Sequence, residues 1–385
     1  MPKEKKSYFL SQPHQPFFTL AILSAIIMMG VFFTNYRGLW MMENNPITFH
    51  AYSFIFTVFT PFFMGFLLTT YPRFSQNSAI EKKEYLRILF LLSLGVLLLL
   101  FSTVIPSPLI QLSSIMILLS QLYTAWIFTK LYTKSPLADK HDLFWILLSW
   151  GFGILANLLF LLHFLGVFQE SILAVQIGIF LYLLMTALSV AQRMVPFFSH
   201  IMIERQPHLL RNILALMLLY TVSKSFSFSL SALFLLIAGA LLTQEILRWN
   251  LPFKKADPVL WILHLAIFWL PTALIIGGFS ELASWIWGTS YMAVTIHLVA
   301  LGFLTTIMIG FGTRVTLGHS GNMMQIDTYT KVLFYLTQAL VYFRAFYAYT
   351  GSMPFFDISA ILWIGLFIAW AWKYLPALIS GKKLS

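Results

Sequence analysis

The sequence alternates long apolar runs with short polar punctuation. The runs have the length that carries a helix across a hydrocarbon core rather than the length that fills a soluble domain. Cutting the chain at charges, prolines and glycines predicts about twelve helices, near residues 17–34, 49–71, 86–105, 109–129, 143–165, 171–193, 209–223, 228–247, 259–278, 289–313, 331–350 and 357–377. The connections are short, and no soluble domain, low-complexity tract or convincing internal repeat interrupts them. Residues 1–385 therefore read as a single integral membrane domain. The expected fold class is all-α, a polytopic transmembrane helical bundle, because a spanning helix satisfies its own backbone groups in lipid. After Thr34 the chain continues with bulky Tyr36, Leu39 and Trp40 and offers no small-residue cleavage site, so the first run is expected to stay as a helix.

Composition sharpens this picture. Of the 385 residues 59% are apolar and only 10% charged, against about a quarter charged in soluble domains, which excludes a water-soluble globular enzyme. The absence of cysteine removes disulfides, thiolate metal sites, iron–sulfur clusters and covalently attached c-type haem. A bound metal must then sit on His, Met, Tyr, carboxylate or backbone oxygen.

The net charge of +11 is not a nucleic-acid patch, because the basic residues follow the hydrophobic runs. With the N-terminal Lys3, Lys5 and Lys6 placed in the cytoplasm, twelve spans return the C-terminal Lys382 and Lys383 to the same side. That side then holds 21 of the 24 Lys and Arg, leaving only Arg37, Lys224 and Arg344 elsewhere. So one-sided a division follows the positive-inside rule and predicts both termini cytoplasmic, with a secondary attraction to anionic lipid.

Polar side chains inside a bilayer are expensive unless paired or functional, so they carry the functional reading. Nine histidines are present. On this topology His50, His163 and His297 lie toward the outer side, and His14, His141, His200, His208, His264 and His319 toward the inner side. In the second span His50, Ser53, Thr57, Thr60 and Met64 recur at spacings of three and four, a polar stripe on one face. Pro61 interrupts that span, with the Thr57 or Thr60 hydroxyl available to the freed carbonyl. The stripe suits helix packing, and His50 suits either a ligand or a structural hydrogen bond. In the tenth span Gly302, Thr306, Gly310 and Arg314 are spaced by four, a small-residue stripe for close helix contact. His297 and Arg314 stand 17 residues apart, about 25 Å along a helix, too far to serve one small site. The turn Gly318-His319-Ser320-Gly321 is either a plain loop or a place where backbone approaches a ligand. Arg344, well inside the eleventh span, needs a carboxylate or backbone partner, and Glu281 in a nearby outward loop is the expected one. Arg193 suits snorkelling, and His264 either a satisfied helix-end role or a ligand.

Four ordered stretches, HQPFFTLAI at 14–22, the block at 49–75, QRMVPFF at 192–198 and HLVALGFLTTIMIGFGTRVTLGHSG at 297–321, resemble the NnrS family of haem- and copper-containing membrane proteins linked to nitric oxide stress. LHLAIFWLP at 263–271 and the late Arg344 are similar to family counterparts. The resemblance implies a twelve-span bacterial inner-membrane protein that binds haem b, either alone or with copper as a second cofactor. Its role would lie in nitric oxide tolerance, the nitrosative stress response or denitrification, with nitric oxide as ligand and an unidentified electron donor. Nitric oxide would then be either consumed or only bound. The chain departs from the family in two places. The second-span motif His-Ala-His-Glu is here His50-Ala51-Tyr52-Ser53, one imidazole and one carboxylate fewer, and Gln15 replaces an Arg in the first motif.

Three function classes follow: the haem protein just described, a multi-span transporter of a small anion, metal or metabolite, and a haem–copper oxidase or nitric oxide reductase. The last needs adjacent imidazoles for a binuclear site, which the chain lacks. The expected sites are two. At the outer face His50 and His297 would hold haem, with Arg344 near a propionate. Tyr52 would sit either in the aromatic belt or, if the helix start is unwound, beside the haem ligand. At the inner face His264 and His319 would bind copper, with Arg193 and Arg314 available to an anion or propionate.

Overall fold

A computed structural model describes residues 8–384 except 106, 225 and 292; Lys3, Lys5 and Lys6 of the topology argument lie outside the described residues. Among the described residues no strand occurs, and twelve helices follow one another. They are α1 (His14–Tyr36), α2 (Pro46–Phe74), α3 (Lys82–Phe101), α4 (Leu109–Lys134), α5 (His141–Phe164), α6 (Ser171–Phe198), α7 (Leu209–Ser223), α8 (Phe228–Arg248), α9 (Pro258–Trp287), α10 (Val294–His319), α11 (Thr328–Thr350) and α12 (Met353–Ser380). Ten are long and apolar enough to cross a membrane; α7, with 15 residues, and the tyrosine-rich α11 are not among them. The chain is a multi-pass helical membrane protein.

Burial separates the helices into two kinds. The most apolar stretch of α2, α6 and α10 is 89, 78 and 83% buried, against 33–56% for the other seven candidate spans, so these three are largely sheathed by protein and the rest leave about half of that stretch or more uncovered. The same three helices carry a π-segment each, at Phe54–Phe59, Ile177–Leu183 and Leu298–Thr305. The segments begin at 54, 177 and 298, intervals of 123 and 121 residues, so every fourth helix has one. A π-segment loosens the hydrogen-bond ladder by one residue, and threonine hydroxyls meet the displaced carbonyls: Thr60 Oγ1 donates to Ile55 O at 2.7 Å and Thr305 Oγ1 to Ala300 O at 2.8 Å. The interruption expected at Pro61 thus takes the form of a π-segment ending at Phe59. The hydroxyls of the second-span stripe are spent on their own backbone, Ser53 on His50 O and Thr57 on Ser53 O, and Ser53, Thr57, Thr60 and Met64 are all sealed from solvent.

The packing forms two compact units. The first comprises residues 1–178, 316–322 and 367–385. In it α1 packs on α2, and α3, α4 and α5 pack in sequence order. The second comprises residues 179–315 and 323–366, where α9 packs between α8 and α10. The stripe on α10 lies against α9: a Cβ added at Gly302 would stand 2.8 Å from the Trp269 ring, and one at Gly310 2.7 Å from Leu263. Close backbone approach is therefore what that spacing of small residues achieves.

Candidate functional site

His50 enters α2 four residues after a firm helix start. Asn45 caps that start, accepting from Ile47 N at 3.0 Å and Thr48 N at 3.1 Å, and Pro46 follows at the first helical position. The half-buried imidazole lies between Phe32, stacked at 4.1 Å, and Phe54, tilted at 4.3 Å. Tyr52 points elsewhere, as the roughly 200° between residues two apart on a helix requires. It is 0% exposed, its ring is packed edge-on against Phe160 and Phe164, and its hydroxyl donates to Asn157 Oδ1 at 3.2 Å. The place expected for Tyr52 in an exposed aromatic belt is not the observed one. Asn157 Oδ1 also accepts from Ser114 at 2.8 Å, and the Asn157 amide donates to Gln121 Oε1 at 2.7 Å, so Tyr52 belongs to a buried clamp joining α2, α4 and α5.

In the second unit His297 closes the single α-turn before the π-segment of α10. Its Nδ1 lies 2.9 Å from Ala293 O, and Arg344 Nη2 lies across both ring nitrogens, 3.2 Å from Nδ1 and 3.0 Å from Nε2. A carbonyl only accepts, so the contact with Ala293 puts the proton of a neutral ring on Nδ1 and leaves the lone pair on Nε2. The guanidinium also lies over the Tyr347 ring at 4.9 Å. The expected partner of Arg344, Glu281, is engaged otherwise: it takes Lys224 Nζ at 2.7 Å, Tyr220 Oη at 3.0 Å and the Ser231 hydroxyl. Lys224, just past the end of α7, reaches a carboxylate that sequence order had assigned to Arg344.

His264 and its neighbours form a separate cluster in the second unit. The ring is 0% exposed, Nε2 stands 2.8 Å from Ser199 Oγ, and Nδ1 is buried with no partner. Gln192, within QRMVPFF, has both side-chain polar atoms buried without a partner, a feature that periodicity alone does not mark. Arg314 lies over the Phe198 ring at 3.9 Å, whereas Arg193 is exposed, as a snorkelling arginine would be.

His319, the last residue of α10, meets His14, the first of α1, with ring centroids 4.4 Å apart. Both belong to the first unit, whereas His264 belongs to the second. Gln15 holds the start of α1 by accepting from Ser11 Oγ and Gln12 N, both at 3.0 Å, and so works as a reach-back cap. Gly65 lets α2 pass close by: a Cβ there would lie 3.2 Å from His14 Cα and 2.9 Å from Phe17 Cβ. Around the turn after His319, Gly321 adopts φ +66°, Tyr8 Oη reaches His319 O at 3.4 Å and Lys383 Nζ donates to Gly321 O at 2.9 Å. Chain order, which groups His319 with His264, gives no sign of His14 as its neighbour.

A family model described as NnrS protein matches residues 8–382, nearly the whole chain. Among curated proteins, none matches the chain.

Proposed function

The chain belongs to the NnrS family, and on that premise we propose that it is a haem b-binding protein of the bacterial inner membrane that acts in nitric oxide tolerance or denitrification, with copper as a second, separable cofactor. In this reading all twelve helices span the bilayer and both termini are cytoplasmic. One observation carries the haem assignment. His297 donates its Nδ1 proton to a backbone carbonyl, the support that a metal-ligating histidine needs, and the neutral ring then offers Nε2. The position of His297 immediately before a π-segment, and of His50 one turn before another, supports the same reading, since such segments gather at functional sites.

Haem, when bound, supplies an iron that coordinates nitric oxide. The chain's own residues do the rest. His50 and His297 each offer an imidazole, flanked in the case of His50 by two phenyl faces that exclude water. Arg344 lies against both ring nitrogens of His297, and turning toward a carboxylate such as a propionate would clear the imidazole while keeping the guanidinium paired. In this reading Arg193 and Arg314 supply further guanidinium charge to meet a carboxylate.

The test is the ultraviolet–visible spectrum of the purified protein, oxidised, reduced and with nitric oxide, for wild type, His50→Ala and His297→Ala. Each variant is expected to lose or shift the Soret band at normal expression. Unchanged spectra in both variants would overturn the ligand assignment. A wild type without a Soret band after haem-replete expression would overturn the haem reading and leave the transporter class.

A further inference from the structure

The imidazole pair at the start of α1 and the end of α10 is not used by the haem reading. His14 is 1% exposed, and its Nδ1 is buried without a partner. An unsatisfied buried polar atom is costly, a penalty that disappears if a ligand occupies its lone pair. A second imidazole stands beside it at 4.4 Å, tilted by 44°. Two independent closures hold the pair in place: Gly65 brings α2 against the His14 backbone, and Tyr8 and Lys383 tie both ends of the chain to the turn that carries His319.

The separation of the rings restricts what they can hold together. With a metal–nitrogen bond of about 2.0–2.1 Å, a ligating ring has its centroid about 3.1 Å from the ion. Two such centroids 4.4 Å apart subtend roughly a right angle at the metal, a cis pair. Trans ligands of one haem iron would stand about 6 Å apart on the same geometry. The pair therefore suits a free ion rather than a haem iron. Among the described residues no group of three or more His, Asp or Glu side chains comes together, and the charge of Arg73 bears on both rings, so the site has only two neutral donors and a cation nearby. Only an ion at the top of the affinity order for nitrogen ligands holds in such a place, and among divalent first-row metals that ion is copper.

We propose that His14 and His319 form a copper site at the junction of the α1 start and the α10 end, with the remaining coordination positions left to water or a small ligand. This rests on the copper half of the proposed function and is independent of the haem half.

The experiment loads full-length, haem-replete protein with copper, removes the excess, and measures bound copper by mass spectrometry and nitrogen hyperfine structure by electron paramagnetic resonance. Wild type is expected to hold stoichiometric copper with hyperfine structure from two nitrogens. His14→Ala and His319→Ala should each lose at least about tenfold in affinity, the scale commanded even by groups that only support a ligand. They should keep the Soret band, and His264→Ala should keep its copper. Where an alanine variant is not monodisperse, His14→Gln and His319→Gln replace it, since they lack the imidazole but keep a polar side chain. Wild-type copper affinity in the His14→Ala, His319→Ala double variant overturns the site and leaves the copper reading standing. Loss of copper in His264→Ala with retention in His14→Ala does the same. A wild type that takes up no copper overturns both, and one that binds copper through two nitrogens but shows no Soret band overturns the haem half alone.

Discussion

Replacing Asn157 by leucine, which is close to it in volume, tests the buried clamp that fixes Tyr52. The side chain is 0% exposed and makes three hydrogen bonds, accepting from Tyr52 at 3.2 Å and Ser114 at 2.8 Å and donating to Gln121 at 2.7 Å. Leucine strands two hydroxyls and one amide oxygen. Gln121 already has its Nε2 buried without a partner, so its amide would lose its remaining Asn157 bond as well. At about 1–3 kcal/mol for each group left unsatisfied, and toward the low end because hydrogen bonds within membrane bundles average near 0.6 kcal/mol, the loss comes to about 3 kcal/mol. Tyr52→Phe removes one donor and leaves Asn157 Oδ1 its bond from Ser114, a loss of about 0.5–1 kcal/mol. In Tyr52→Phe/Asn157→Leu one stranded hydroxyl is gone, so the double variant should lose less than the sum of the single losses. Unfolding of detergent-solubilised protein by sodium dodecyl sulfate, followed by tryptophan fluorescence, orders the three variants, while the Soret band reports on the haem. The reasoning fails if Asn157→Leu is no more destabilising than Tyr52→Phe. It fails also if Tyr52→Phe changes the nitrosyl spectrum or the nitric oxide release rate, because the hydroxyl would then touch the ligand rather than Asn157.

Two further substitutions probe the other junctions. Gly65→Ala should destabilise by about 1–3 kcal/mol, since its methyl would press on the His14 backbone at 3.2 Å, and should weaken copper binding with it; normal copper affinity in a folded Gly65→Ala protein would show that this approach does not position His14. Glu281→Gln leaves the Lys224 ammonium without its carboxylate beside a side chain only 8% exposed, so a loss of about 3 kcal/mol or more is expected, and Lys224→Met/Glu281→Gln should recover most of it in the same unfolding assay.

Hydropathy located every helix, because the free energy of moving a side chain into a membrane is local to that side chain and sums along the run. Each of the twelve expected runs overlaps an observed helix, and the short α7 has the expected bounds, 209–223. The small-residue stripe on α10 was legible for the same reason, since spacing by four fixes a helix face before any partner is known. The π-segments were not legible. They follow from which carbonyl each N–H meets, and neither composition nor periodicity records that register, so their recurrence in α2, α6 and α10 has no counterpart in a repeated sequence. Partner choice was hidden as well. Glu281 went to Lys224 rather than Arg344, Arg344 to His297, His319 to His14, and Tyr52 to Asn157, 105 residues away. The sequence determines how far each polar side chain is carried into the bilayer, because depth follows from position in a run. Which side chains then meet was decided by how the helices turn and pack about one another, since in lipid the choice rests on close contact and hydrogen-bond geometry between surfaces distant in the chain.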